Sequence, residues 1–434
     1  MNRSSATVTV PSPLAAIAAR RRAVIASSIG NALEWFDFLL YAFFARAIAA
    51  AFFPTGSPTV SLLLTLATFA IGFVVRPLGG VLLGLYADRA GRRRALSLLI
   101  LLMAAGTLGL GLIPGYATIG LAAPLLMVLA RLLQGFSVGG EFGSATAMLV
   151  EFAPPGRRFL FGSLQMVAQA LALLLASLAA LTVHAALGPA ATMAWGWRLP
   201  FLLGALIAPV GFYLRRRVDE SPEFLEALDD AGCERQPLAI ALRQAGRAVL
   251  TAIGVTIAGT AGLYVWLVYL PLFVVQRLHL PATTALAATV PCTLLLLLIY
   301  PVAGWLADRV GGWRIFFPAL IGTAVLNWVL FAQVIAAPGW YRLVAAELAA
   351  TLPLGFLGGP APALLATLFP VRIRSTGLAL GYNLAVILFG GLAPLLVTAL
   401  IHATGDNAVP AYYVIACCTL SLALVAGTVH RRPG

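Results

Sequence analysis

The chain has 434 residues, 61% of them hydrophobic and 10% charged, with a net charge of +13 and a mean hydropathy of +0.97. A water-soluble globule cannot hide so much apolar side chain, because surface grows too fast relative to core, and the same composition excludes a disordered chain. All 28 basic residues are arginine, and in so apolar a chain their sign reports topology in a bilayer rather than a nucleic-acid partner.

Residues 1–19 are polar or mixed and lead to Arg20-Arg21-Arg22. The apolar run that follows reaches about Phe53 and carries Glu34 and Asp37. It is too long for a cleavable signal and reads as a first transmembrane helix. A helix needs about 20 apolar residues to cross the hydrocarbon. On that rule the sequence predicts spans at roughly 24–53, 60–86, 95–114, 121–150, 159–184 and 195–214, then 248–275, 282–307, 315–337, 341–366, 376–401 and 411–429. Gly and Pro mark the joins, as at Pro114-Gly115 and Pro338-Gly339.

Arginine placement supports this count. With the N-terminus inside, 22 of the 28 arginines fall in cytoplasmic segments, four (Arg46, Arg198, Arg277 and Arg342) lie near the outer side, and Arg76 and Arg131 lie within spans. A miscounted span would scramble that alternation. Residues 215–247 hold seven of the 15 acids, with Phe224, Leu225 and Leu228 at helical spacing. They read as an amphipathic cytoplasmic linker. The predicted organisation is a cytoplasmic segment (1–23), a first bundle (24–214), the linker (215–247) and a second bundle (248–430).

The chain repeats itself. Gly84-Leu-Tyr-Ala-Asp88-Arg89-Ala-Gly91 recurs as Gly304-Trp-Leu-Ala-Asp308-Arg309-Val-Gly311, at an offset of 220 residues. Gly135-Phe136 with Gly139-Gly140 recurs as Gly355-Phe356 with Gly358-Gly359. A repeat at half the chain length, in the same loop of each half, is the pattern of a transporter built from two related bundles. Cys233, Cys292, Cys417 and Cys418 lack CxxC spacing, and the four histidines are scattered. No metal site or disulfide framework is expected, and with no HExxH or GxSxG motif no enzyme is expected either.

Several motifs resemble the major facilitator superfamily from about residue 20 to 430. The loop Gly84–Arg94 looks like its signature between spans two and three. More narrowly, Gly30-Asn-Ala-Leu-Glu34-Trp-Phe-Asp37-Phe, Arg76-Pro-Leu-Gly-Gly and Arg131-Leu-Leu-Gln-Gly-Phe-Ser-Val-Gly-Gly-Glu141 resemble the metabolite:proton symporter branch. Glu151-Phe-Ala-Pro-Pro-Gly-Arg-Arg, Trp197-Arg-Leu-Pro-Phe-Leu-Leu-Gly and Arg215-Arg-Arg-Val-Asp-Glu-Ser-Pro-Glu-Phe also match. Pro114-Gly-Tyr-Ala-Thr-Ile-Gly and Phe389-Gly-Gly-Leu-Ala-Pro look most like citrate and tricarballylate carriers. One departure is Gly312-Trp313, which stands where the first-half loop has Arg92-Arg93.

The resemblance implies an all-α integral membrane protein with 12 transmembrane helices in two pseudo-symmetric six-helix bundles. It implies proton-coupled symport of an organic acid anion by alternating access in a bacterial inner membrane, with a zwitterionic osmolyte such as betaine or proline as the alternative. The implied partners are protons, a small carboxylate and lipid. Nucleic acid and cofactors are not expected, and neither is an oligomer. Asp88, Arg89, Gly91, Arg92, Asp308, Arg309 and Arg374 would form latches between the bundles.

Charge inside the membrane selects the remaining candidates. Glu34 and Asp37 lie three residues apart on one helix, and Asn31 and Tyr41 extend that face. A carboxyl there can carry a proton or pair statically with Arg131 or Arg76. Arg131 shares its face with Gln134, Val138 and Glu141. Its fork suits a substrate carboxylate and a protein one equally. Arg76 could counter the same anion. Glu347 is a lone acid in span ten and a second candidate proton site. Gln165, Gln169, Tyr264, Tyr269 and Asn383 are polar groups in apolar spans, where they serve as helix glue or as ligand contacts.

Overall fold

The computed structural model describes residues 31–32, 35–90, 92–139, 141–205 and 246–429. Glu34, Gly91, the segment 1–23 and residues 215–245 of the linker lie outside the described residues, as do the side chains of Asp88, Arg89, Arg92 and Glu141.

Helices follow one another with no strand among the described residues. Nine are long and apolar enough to cross a membrane, and a bent pair, Trp35–Phe43 with Ala45–Phe52, makes a tenth candidate. The third span is the helix Arg92–Leu112, and the described part of the sixth ends at residue 205. Among the described residues the order of spans is the one expected from hydropathy, while the fifth runs from Arg158 to Gly196, past its expected end at 184.

The departures lie inside spans. The first span is not continuous: its two helices meet at 72°. The bend falls at Phe44, whose backbone leaves the helical region (φ −101°, ψ 15°) while its ring stacks on His184. The second span is interrupted at Val75, ahead of Arg76-Pro77, because Pro77 has no amide hydrogen to give to the carbonyl one turn back and its ring crowds that turn. Its start is conventional: Pro58 occupies the first turn and Ser57 accepts from the Val60 amide. Span five kinks at Gly188 (φ 71°), just before Pro189. Spans seven and eleven each contain a wider, π-type turn, Tyr264–Tyr269 and Ile387–Gly391. Such turns interrupt the regular ladder and often mark functional positions.

The repeated glycines turn out to be packing seams. Gly135 lies against the backbone of Gly72, Gly79 against Phe136 and Gly139 against Arg76, so spans two and four touch backbone to backbone. In the second half, Gly355 lies against Ile299, Gly358 against Tyr300 and Gly359 against Ala303, which joins spans ten and eight. Gly355 and Gly359 stand 220 residues after Gly135 and Gly139. The repeat in sequence is therefore the same helix–helix seam built twice.

The two halves meet along spans five and eight. At the arginine-rich end, both carboxylate oxygens of Asp308, at the end of span eight, accept from the Phe159 and Leu160 amides (2.8 and 2.9 Å). These amides open span five, so the acid sits on the positive end of a helix dipole. Beside this contact, Arg374 pairs with Glu151 at 2.8 Å. Arg309 instead lies over the Trp305 ring, at 3.8 Å. Higher up, the Asn383 amide donates to the Gly139 carbonyl (2.9 Å), and Tyr382 stacks flat on Phe142.

The seams differ in what they can yield. A methyl at Gly139 meets the Arg76 backbone, whereas one at Gly355 meets the movable Ile299 side chain. Gly139→Ala is expected to destabilise the detergent-solubilised protein by about 1–3 kcal/mol, and Gly355→Ala by less. Thermal unfolding of the two variants checks the order, and equal shifts would remove the backbone-limited account of the first seam.

Candidate functional site

Asp37 and Tyr41 come from the first span, Thr107 from the third, and Arg131 with Gln134 from the fourth. All five are buried. Arg131 donates through Nη1 to Gln134 Oε1 (3.0 Å), and Gln134 donates through Nε2 to Thr107 Oγ1 (3.0 Å). The Thr107 hydroxyl in turn donates to Asp37 Oδ2. A single hydrogen-bonded chain therefore runs from the guanidinium to the carboxylate across three helices. Room for the Arg131 head comes from Gly72, where an added methyl would lie 3.3 Å from Nη2. Nη2 donates to the Phe69 carbonyl (3.4 Å), and aromatic faces cover the head: its guanidinium carbon lies 4.3 Å from the centre of Phe38 and 4.5 Å from that of Tyr41.

Sequence reasoning anticipated Asp37, Arg131 and Gln134 but not the link between them. Asp37 makes no direct pair with Arg131 or Arg76 among the described residues; Thr107 and Gln134 stand between. A threonine in an apolar span looks like ordinary packing, so nothing in the sequence singled out Thr107. Tyr41 donates to the Thr65 carbonyl (3.2 Å), and Asn31 donates to the Gln165 carbonyl (3.3 Å). The amide of Gln165 itself has no partner on either atom although it is fully buried.

Arg76 is the second buried guanidinium, at 2% exposure. It is packed among Trp35, Phe38 and Phe73 at 5.2, 4.5 and 4.3 Å. Its Nε and Nη2 have no hydrogen-bond partner. Each aromatic face contributes roughly 0.5–2 kcal/mol, against a desolvation penalty of several kcal/mol for the cation. Among the described residues no carboxylate pairs with Arg76.

Between the halves lies a partly open cavity. Trp35, Phe142 and Gln169 of the first half line it with Tyr264, Tyr300 and Tyr382 of the second, and six leucines lie among the rest. None of the residues lining it carries a formal charge. Trp35 touches both worlds: one side faces the cavity and the other covers Arg76. Tyr264 meets Trp35 and Phe73 edge to face, and its hydroxyl has no partner. Gln169 donates to the Tyr382 hydroxyl (3.3 Å) across the cavity.

The candidates from sequence therefore divide. Gln169 and Tyr264 line the cavity, Arg76 lies directly behind its wall, Arg131, Gln134 and Asp37 belong to the buried chain, and Tyr41 packs on the Arg131 head. Asn383 and Tyr269 are not in the cavity; Asn383 bridges the halves, and the Tyr269 hydroxyl accepts from Thr398 (3.2 Å) between spans seven and eleven. Glu347 is buried elsewhere, between spans eight and ten. Trp35, Phe38 and Phe73 are the surroundings of Arg76 that sequence reasoning missed, because aromatic residues in a transmembrane segment ordinarily signal packing.

The family model described as "Sugar (and other) transporter" matches residues 23–235. The citrate-proton symporter of Klebsiella pneumoniae is 38% identical over 419 residues, covering 95% of this chain and 92% of that protein. The alpha-ketoglutarate permease of Escherichia coli strain K12 is 36% identical, covering 90% of each. The proline/betaine transporter of Salmonella typhimurium is 33% identical, covering 93% of this chain and 82% of that one. Among solved structures, the major facilitator superfamily proton:xylose symporter XylE bound to 6-bromo-6-deoxy-D-glucose superposes with a TM-score of 0.78 over 96% of both chains, at 17% identity. The chain belongs to the major facilitator superfamily, in its metabolite:proton symporter family, and is a membrane transporter rather than an enzyme.

Proposed function

We propose that this protein imports a small organic acid anion, a di- or tricarboxylate such as citrate, together with protons, by alternating access across a bacterial inner membrane. Both termini face the cytoplasm, the proton gradient is the energy source without a cofactor, and a monomer suffices. One observation carries the choice of an anion: Arg76 is buried beside the central cavity with two guanidinium nitrogens unpartnered. A carboxylate entering past Trp35 supplies the missing acceptors, in the geometry a guanidinium favours. The citrate and alpha-ketoglutarate carriers among the relatives support the same class.

The polar chain supplies a coupling device. With Asp37 ionised, Thr107 donates to it and accepts from Gln134, which holds Arg131 through its carbonyl oxygen. A proton on Asp37 reverses the first bond, because the acid now donates to Thr107. The hydroxyl then donates to a carbonyl of its own helix, as Thr65 and Thr68 do, or, in the coupled route, to the Gln134 carbonyl once that amide turns over. That rotation releases Arg131 Nη1 for a substrate carboxylate. Protonation and anion binding thereby favour each other.

The contrary reading, a betaine- or proline-type zwitterion, is favoured by a different observation. The cavity wall itself is aromatic and uncharged, which suits a quaternary ammonium group. Uptake of labelled citrate, alpha-ketoglutarate and betaine into proteoliposomes with an imposed pH gradient separates the two. Gradient-dependent uptake of a carboxylate is expected; betaine uptake without carboxylate uptake overturns the anion reading.

Two further outcomes follow from the residues. Asp37→Asn and Thr107→Val are expected to retain substrate counterflow while losing at least about tenfold in gradient-driven accumulation. Native accumulation in Thr107→Val would remove the hydroxyl from the relay. Asp308 grips the amides opening span five, and hydrogen bonds to a charged group contribute about 1.5–3 kcal/mol each. Asp308→Asn is therefore expected to slow uptake several-fold at unchanged expression, and an unchanged rate counts against Asp308 as a latch between the bundles.

A further inference from the structure

Glu347 is fully buried on span ten, and neither carboxylate oxygen has a hydrogen-bond partner. Its neighbours are Thr289 and Cys292 of span eight, with Thr351 beside Cys292 one turn along span ten. Thr289 and Cys292 direct their own hydrogens to carbonyls of their own helix, Ala285 and Ala288 (both 3.3 Å). Span ten packs against spans seven, eight and nine. Among the described residues the one titratable group facing Glu347 from them is the Cys292 thiol, and no cation does.

Among the described residues an ionised carboxylate here would have no counter-charge, and only the Thr289 hydroxyl and the Cys292 thiol could turn toward it, an expensive state for a buried acid. A neutral acid is compatible with the same surroundings, because it donates one bond and needs no cation. The internal repeat gives the position further meaning. The offset of 220 residues that relates the two halves places Thr351 at the counterpart of Arg131, and Cys292 at the counterpart of Gly72, the glycine that makes room for it. The second half thus puts an acid, one turn away, where the first half puts a permanent cation. Leu296 and Leu354, farther along the same two helices, line the central cavity, so the site lies within two turns of the space that must change hydration during transport.

We infer that the Glu347 pocket between spans eight and ten is a second proton-binding site, distinct from the Asp37 chain, which is loaded in the conformation described here and empties when span eight moves relative to span ten. The inference rests on the proton-coupled reading above and adds one proton to each transport cycle.

Glu347→Gln keeps the shape of the protonated acid and removes its proton. The first readout needs no substrate: the infrared carbonyl band of a protonated carboxyl, recorded on purified native protein and on the variant. Native protein is expected to show a band that Glu347→Gln lacks. Identical carboxyl bands overturn the inference whatever the transport assays give. The second readout uses labelled citrate or betaine, whichever the native protein accumulates. Glu347→Gln is expected to keep counterflow while its accumulation ratio falls about tenfold for each unit of imposed pH gradient, the contribution of one proton. Native accumulation in the variant, or loss of counterflow together with accumulation in a folded variant, overturns the proton site.

Discussion

Two helices reach backbone contact only where no side chain stands between them, and most of this structure depends on where that is allowed. Gly72, Gly79, Gly135 and Gly139 draw spans two and four together. At that distance there is no space for a chain of water, so Arg131, carried on span four, must be satisfied by what the neighbouring helices present. Phe38 and Tyr41 cover its face and Gln134 takes one of its hydrogens. The path from Arg131 to Asp37 then has to pass through side chains, and Gln134 and Thr107 are those side chains. The seam between spans eight and ten repeats the geometry with other chemistry, and the acid enclosed beside it is Glu347.

The gross architecture was legible because it follows from composition. A bilayer demands continuous apolar stretches of one length, and arginine counts separate its two sides, so the order of spans could be read directly. The internal repeat was equally visible, although its glycines read as a motif rather than as a seam. What hydropathy cannot register is a change of direction within an apolar stretch. The 72° bend at Phe44 has no proline to announce it, and the π-type turn at Tyr264–Tyr269 is written in residues that would serve equally well in a regular helix.

The candidate site was legible to the extent that charge marked it. Asp37, Arg76, Arg131 and Glu347 stood out because ionised groups are expensive in hydrocarbon, and all four are buried. Apart from Gln134, their partners did not stand out, for a physical reason. A buried cation can be held by aromatic faces and single hydroxyls, residue types that are abundant in membrane spans for other purposes. Trp35 is the clearest case: it separates the uncharged cavity from Arg76, yet in sequence it is one aromatic residue among many.

The contact between Asp308 and the start of span five has a consequence for how such proteins change over time. Its acceptors are carboxylate oxygens and its donors are the main-chain amides of Phe159 and Leu160. A side chain that binds backbone has no partner whose identity must change when it changes. Positions 159 and 160 are therefore free to drift among residues that fit the helix start, while the acid is held fixed. Aligned relatives should show an invariant acid at position 308 with no covarying partner, and a contact map inferred from paired substitutions would leave this junction between the halves blank.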